Sequence, residues 1–180
     1  NRVLFCLLFN FILLSNTYAL TIAGIMVDFV EDQDPETSGN GKFLSNDEID
    51  LGFIQHSHIS KCNPDYHFVV DKPPHNSEYF HLQLISVKNY YENIFQNHIT
   101  INTKMVSAEV FHLEHNMKYY STSDNQIGVL YSDALDKTNE VIDLDTFIAD
   151  QNGDDVVFVV FHAGLGQESS VDFDPTIYDI

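Results

Sequence analysis

Nine histidines, two cysteines and 27 acidic residues supply most of the chemistry that this 180-residue chain could perform. A zinc site needs three or four ligands converging, most recognisably as His-Glu-x-x-His on one helix face. That spacing is absent from the sequence. His56-Ser57-His58 and Glu114-His115 come nearest and neither fits. His75 and His81 lie six residues apart, too far for ligation from adjacent helical turns. These histidines read as exposed or helix-capping groups. A Gly-x-Ser-x-Gly elbow, a Gly-rich phosphate loop and a basic aromatic stripe are also absent. No catalytic set can be assembled from this segment.

Three weaker candidates remain. His162 ends an apolar run and precedes Gly164 and Gly166, which free the backbone for an unusual turn. Polar groups at the carboxyl end of a buried strand are where α/β proteins place ligands. His162 is therefore either a cleft-wall residue or a group that bonds loop backbone and shapes the turn. Asp150, Asn152, Asp154 and Asp155 surround Gly153 like part of a calcium loop, with oxygen ligands at alternate positions. The twelfth position of such a loop, a glutamate in a complete one, is Phe161 here, and a plain Asn-Gly turn is the competing reading. Cys62, in Lys61-Cys62-Asn63-Pro64, reads as a turn residue; Cys6 falls in the leader, so the mature segment offers no second thiol.

The elements that would position these groups follow from periodicity. Residues 20–30 form an almost unbroken apolar run, a strand buried on both faces. A polar, Gly- and Pro-bearing loop follows over 31–41, then an irregular insertion over 42–65 and a short strand over 66–71. Asn76 or Ser77 can cap a helix whose apolar residues, Phe80, Leu84, Val87, Tyr91, Ile94 and Phe95, fall on one stripe. Alternation over 98–113 slips phase near Lys104, predicting a long strand with a bulge, or a hairpin. Residues 116–120 predict a helical turn, 127–138 a second helix, 143–148 a short third one, and 156–161 a central strand. This alternation predicts an α/β (α+β mixed) domain with a largely buried mixed sheet.

The first 19 residues read as a secretory signal peptide. Arg2 is the one charge, an apolar stretch runs from Val3 to Leu14, and the segment closes on Ala19. Twelve residues are too few to span a bilayer, which takes about 20. Residues 20–180 are then one domain with 27 acidic residues against seven lysines. Such a charge repels nucleic-acid phosphates and anionic lipid, and the mature chain offers no stable membrane anchor. The expected destination is secretion or the cell surface.

Val70-Asp71-Lys72-Pro73-Pro74-His75, Tyr79-Phe80, Asn89-Tyr90-Tyr91-Glu92, Met117-Lys118-Tyr119-Tyr120 and the strand into His162-Ala163-Gly164 and Gly166-Gln167-Glu168 occur in a specific order. That ordered set resembles the amino-terminal part of immune inhibitor A-type secreted metalloproteases. The resemblance implies a zincin-like fold, a twisted mixed sheet backed by helices, incomplete here because the zinc helix comes later. It implies a zinc-dependent endopeptidase acting on protein or peptide, whose motif glutamate activates a zinc-bound water. Both zinc ligands and base would lie downstream, and calcium is a further cofactor that the acidic loop at Asp150 suggests. An exported non-catalytic binding or adhesion domain is the alternative.

Overall fold

The computed structural model describes residues 18–34, 37, 40–44, 74–96 and 98–164. The leader up to residue 17, the strand expected over 66–71, His56, His58, Cys62 and the Gly166-Gln167-Glu168 element lie outside the described residues, as does most of the insertion over 42–65.

The expected apolar strand forms as β1, Tyr18–Asp28, and is hydrogen-bonded along both edges. Residues 21–29 are all buried, which explains why the run lacks the apolar–polar alternation of a half-exposed strand. The chain then crosses over through helix α1, Ser77–Ile94, to strand β2, Ile99–Met105, which lies parallel to β1. Asn76 caps α1: its Oδ1 accepts the Tyr79 N–H at 3.0 Å. A short strand β3, Phe111–His112, follows and is again parallel to β1. Helices α2, Met117–Ser121, α3, Asp124–Asn139, and α4, Leu144–Ala149, lead to strand β4, Asp155–His162, parallel to β1 on its other edge.

Because β4 flanks β1 from Leu20 to Val27, β2 and β3 must share the opposite edge. They are two halves of one interrupted strand. Gly24 faces Met105 and Val27 faces Phe111, so three extra residues loop out between them. The phase slip near Lys104 thus marks a looped interruption rather than a hairpin. It also explains why the sheet is parallel among the described residues instead of mixed. Each change of edge is made by a helical crossover, and a parallel neighbour requires such a connection.

The first crossover runs from β1 to one edge and the second from β3 across β1 to the other, and they cover opposite faces, as right-handed connections do. On one face, Leu84 of α1 packs with Ile22 and Ile101, and with Leu20, Met105, Val159 and Phe161 around them. On the other, Leu130 and Ala134 of α3 and Met117 and Tyr120 of α2 pack with Ile25, Val27, Phe29 and Phe111. Gly24 permits close approach on the α1 face, since a Cβ there would sit 2.6 Å from Met105 Sδ and 3.1 Å from Leu84 Cδ1.

One expectation about α1 fails in detail. Of its predicted stripe only Leu84 is buried and Phe80 half-buried; Val87, Tyr91, Ile94 and Phe95 are exposed. The helix turns His81, Leu84, Lys88 and Glu92 inward instead. His81 Nε2 lies 3.2 Å from both the carbonyl oxygen and Oγ1 of Thr103, and Glu92 Oε1 accepts the Ile101 N–H at 2.9 Å. Both bonds satisfy β2, whose outer edge would otherwise leave backbone groups without partners, and that requirement outweighs the apolar stripe.

Candidate functional site

All four strands run the same way, so their carboxyl ends meet at one edge of the sheet. β1 ends in Asp28, β3 in His112 and β4 in His162. The first connection leaves β1 for one edge and the second carries the chain from β3 across β1 to the other, and the carboxyl edge of an open α/β sheet is where ligands bind.

Asp28 is the centre of the arrangement. It is only 5 % exposed, a carboxylate at the end of an apolar strand. Register places it beside His112, and its Oδ1 accepts from His112 Nδ1 at 2.6 Å. The same oxygen takes Lys42 Nζ at 3.1 Å. Since a carboxylate only accepts, Nδ1 is the donor, and the neutral tautomer that donates there has its lone pair on Nε2. The His112 side chain is 70 % exposed, so a buried acid orients an imidazole that faces water. A carboxylate-oriented histidine is an arrangement suited to proton transfer or to ligation.

Lys42 reaches Asp28 through a specific loop path. Gly41 has φ +79°, and its carbonyl accepts the Phe29 N–H at 2.9 Å. A Cβ at Gly41 would lie 3.1 Å from Phe29 Cβ and 3.3 Å from the Val30 carbonyl oxygen. Glycine therefore lets the loop lie against the end of β1 and deliver Lys42. Further along, Asn116 Nδ2 donates to Asp32 at 2.7 Å and Lys118 Nζ pairs with Asp34 at 3.2 Å, tying the acidic loop to α2.

His162 reaches the same edge but the other face. It stands opposite Val27, one residue out of phase with Asp28, and side chains alternate faces along a strand. Its Nδ1 donates to the Ala163 carbonyl at 3.0 Å, and its ring centroid lies 6.1 Å from that of Phe29. The turn-shaping role is the one its contacts describe. Gly164 has φ +94°, as the Ala-Gly sequence suggests. The described histidines of the resemblance are likewise structural in their contacts: His75 packs on Tyr79 with ring centroids 4.7 Å apart. Met117 and Tyr120 are core residues.

Asp150, Asn152 and Asp154 sit at the opposite end of β4 from His162. Asn152 and Gly153 both have positive φ, 60° and 85°, and the Asp154 N–H bonds the Gln151 carbonyl at 3.1 Å. This is the Asn-Gly turn of the mirror-image type. Asp154 Oδ2 is taken by Asn102 Nδ2 at 2.9 Å and Thr21 Oγ1 at 3.3 Å. Among the described residues no group of three or more His, Cys, Asp or Glu is placed to hold a metal ion. The loop pins strands together through Asp154.

A cleft of about 240 Å³ opens beside α3, lined by Glu114, His115, Asp133, Asp136, Lys137 and Glu140 with Leu113. Lys137 is held by Glu140 at 2.9 Å and stands 3.7 Å from Glu114; the Glu140 bond raises its pKa above the ordinary value. Tyr120 donates to Asp133 at 2.9 Å, and burial, reinforced by that bond, pushes its phenol above its usual range.

Sequence reading did not single out Asp28, His112 or Lys42. The available signal was Asp28 itself, a lone acid inside an apolar run, since a carboxylate is buried only where it is paired. No family model, curated protein or solved structure matches the chain.

Proposed function

We propose that residues 20–180 are the front portion of a secreted zinc-dependent endopeptidase. They supply the sheet and part of the cleft wall, while the zinc ligands and the catalytic glutamate come from later in the chain. The observation that carries this reading is an apolar strip that the described residues cover only in part: Val159 and Phe161 pack against the α1 cluster and Val157 does not. On the α1 side of the sheet, α1 lies over β1 and β2, while β4 turns Val157, Val159 and Phe161 to the same face. Among the described residues β4 pairs with β1 alone, so the strand predicted over 156–161 stands at the edge of the sheet and not at its centre, and its Val157 is 48 % exposed. Such a strip beside a packed helix suits a second amphipathic helix. A zinc helix laid there would bring its active face to the carboxyl edge of Asp28, His112 and Lys42. The ordered resemblance supports the same assignment, and the charge of the mature segment suits export and disfavours nucleic acid.

The test is to translate the reading frame beyond Ile180 and assay the whole product on casein, with chelator and after zinc restoration. A His-Glu-x-x-His helix and chelator-sensitive, zinc-restored cleavage are expected. A continuation without that motif, or cleavage indifferent to chelator, would leave an exported binding domain instead.

A further inference from the structure

We propose that removal of the leader after Ala19 is itself a folding step, in which the new Leu20 ammonium locks β1 into the sheet through Asp154; this rests on the signal-peptide reading of residues 1–19. The Ala19–Leu20 bond lies inside β1. Tyr18 and Ala19 pair with Ile99 and Thr100 of β2, whereas β4 begins at Asp155, directly opposite Leu20. A chain starting at Leu20 is therefore flush with β4. It keeps every β4 partner and loses two of the seven register pairs with β2. A bond held within a paired strand is also shielded from a peptidase, so cleavage has to precede pairing.

Hydrolysis of that amide consumes one water. The hydroxyl stays with Ala19 as its carboxyl group, and the Leu20 amine takes up a proton. A neutral backbone amide thus becomes a cation with three donors. It appears at the end of the sheet that carries the half-buried Asp154, and with Asp155 opposite. Asp154 Oδ2 already gathers Thr21 Oγ1 from β1 and Asn102 Nδ2 from β2 while belonging to the turn that opens β4. Both donors are neutral, and Thr21 is the residue next to the new terminus. One carboxylate thus brackets three strands, and processing places a positive charge one residue from it.

The experiment compares the complete secreted protein in its natural form with one that retains Ala19 as its first residue, each with Asp154 and with Asp154→Asn, after sequencing the amino terminus. The expected terminus is Leu20. Retaining Ala19 is expected to lower Tm by about 1–4 °C, the size of one partly exposed ion pair in a chain of this length. That drop should vanish in the Asp154→Asn pair, with Asp155→Asn as a second variant. Strand length alone predicts the opposite sign, because Ala19 adds a pair with Thr100. A terminus other than Leu20 would overturn the signal-peptide reading and the lock with it. A Leu20 terminus with an unchanged or raised Tm, or an equal drop in Asp154→Asn, would overturn the lock alone.

Discussion

Asp28→Asn is the substitution that most directly probes the carboxyl edge. It keeps side-chain volume and removes the charge on which His112 and Lys42 converge, at 2.6 and 3.1 Å. A hydrogen bond to a charged group contributes about 1.5–3 kcal/mol net. Here the acceptor is buried but the donors are not: the His112 side chain is 70 % exposed and that of Lys42 32 %. Solvent screening reduces each bond toward the surface value of up to about 1 kcal/mol. Asparagine can keep its oxygen at the Oδ1 position, where both donors bond, so what it loses is the charge, while its NH2 group takes the buried place of Oδ2. The expected cost is about 1–2 kcal/mol, read as a lowered guanidinium midpoint with an unchanged slope. Asp28→Leu gives the contrast. It leaves no buried polar group, while His112 and Lys42 rehydrate, so its cost should fall below that of the asparagine. If Asp28→Asn changed stability by less than about 0.3 kcal/mol, within the noise of such measurements, the carboxylate would not be buried and paired. If leucine cost more than asparagine, the cluster would be a structural staple and its reading as a functional edge would fail.

Three further outcomes follow from the same contacts. Gly41→Ala should cost more than Gly153→Ala: both have positive φ, worth about 1–2 kcal/mol, but only Gly41 would press a Cβ on Phe29 and Val30, and equal losses in urea titration would contradict that crowding. Tyr120→Phe should cost about 1 kcal/mol at neutral pH for the lost Asp133 bond. Its folded pKa is raised above the ordinary 10.0, so the contribution holds below that pH and fades above it; the gap between the two proteins should narrow toward about pH 11, and a constant gap would count against the bond. Asp143 caps α4 through Thr146 Oγ1 and two backbone N–H groups, Thr146 first among them, which hold its carboxyl below the ordinary 3.8. Its contribution is present above that pH and lost as pH falls through the lowered value, so Asp143→Ala should show a shallower acid loss in circular-dichroism melts; identical acid limbs would refute the cap.

What could be read from the sequence was what neighbouring residues decide. The strand around Ile25 is a continuous apolar run because both of its faces are covered. Asn76 caps a helix because its side chain reaches a donor three residues on. The Asn152-Gly153 pair announces its own turn. Features set by register were not accessible. Asp28 and His112 are 84 residues apart, and only the parallel pairing of β1 with β3 brings them together. The face of α1 that turns inward was missed for a related reason. Its apolar stripe is a local property, but the inward face is chosen by the edge of β2 that no described strand pairs, whose groups His81 and Glu92 bond. Similarly, a phase slip in alternation signals an interruption but not whether the chain reverses or rejoins the same edge.

The two ends of the sheet now differ in a way that bears on function. At the amino end, the side chains bonded to Asp154 among the described residues are those of Thr21 and Asn102, short neutral donors. At the carboxyl end, Asp28 holds a lysine and a histidine, and the imidazole faces water. Pinning strands does not require an exposed imidazole, since a neutral amide or hydroxyl does that work at the other end. Placing His112 at the carboxyl edge, oriented by a buried acid and open to water, therefore favours a role toward something outside the sheet. Under the protease reading that partner is the substrate cleft. His112→Gln should then lower turnover in the complete protein while leaving its unfolding midpoint nearly unchanged, and parallel losses of both would return His112 to the scaffold.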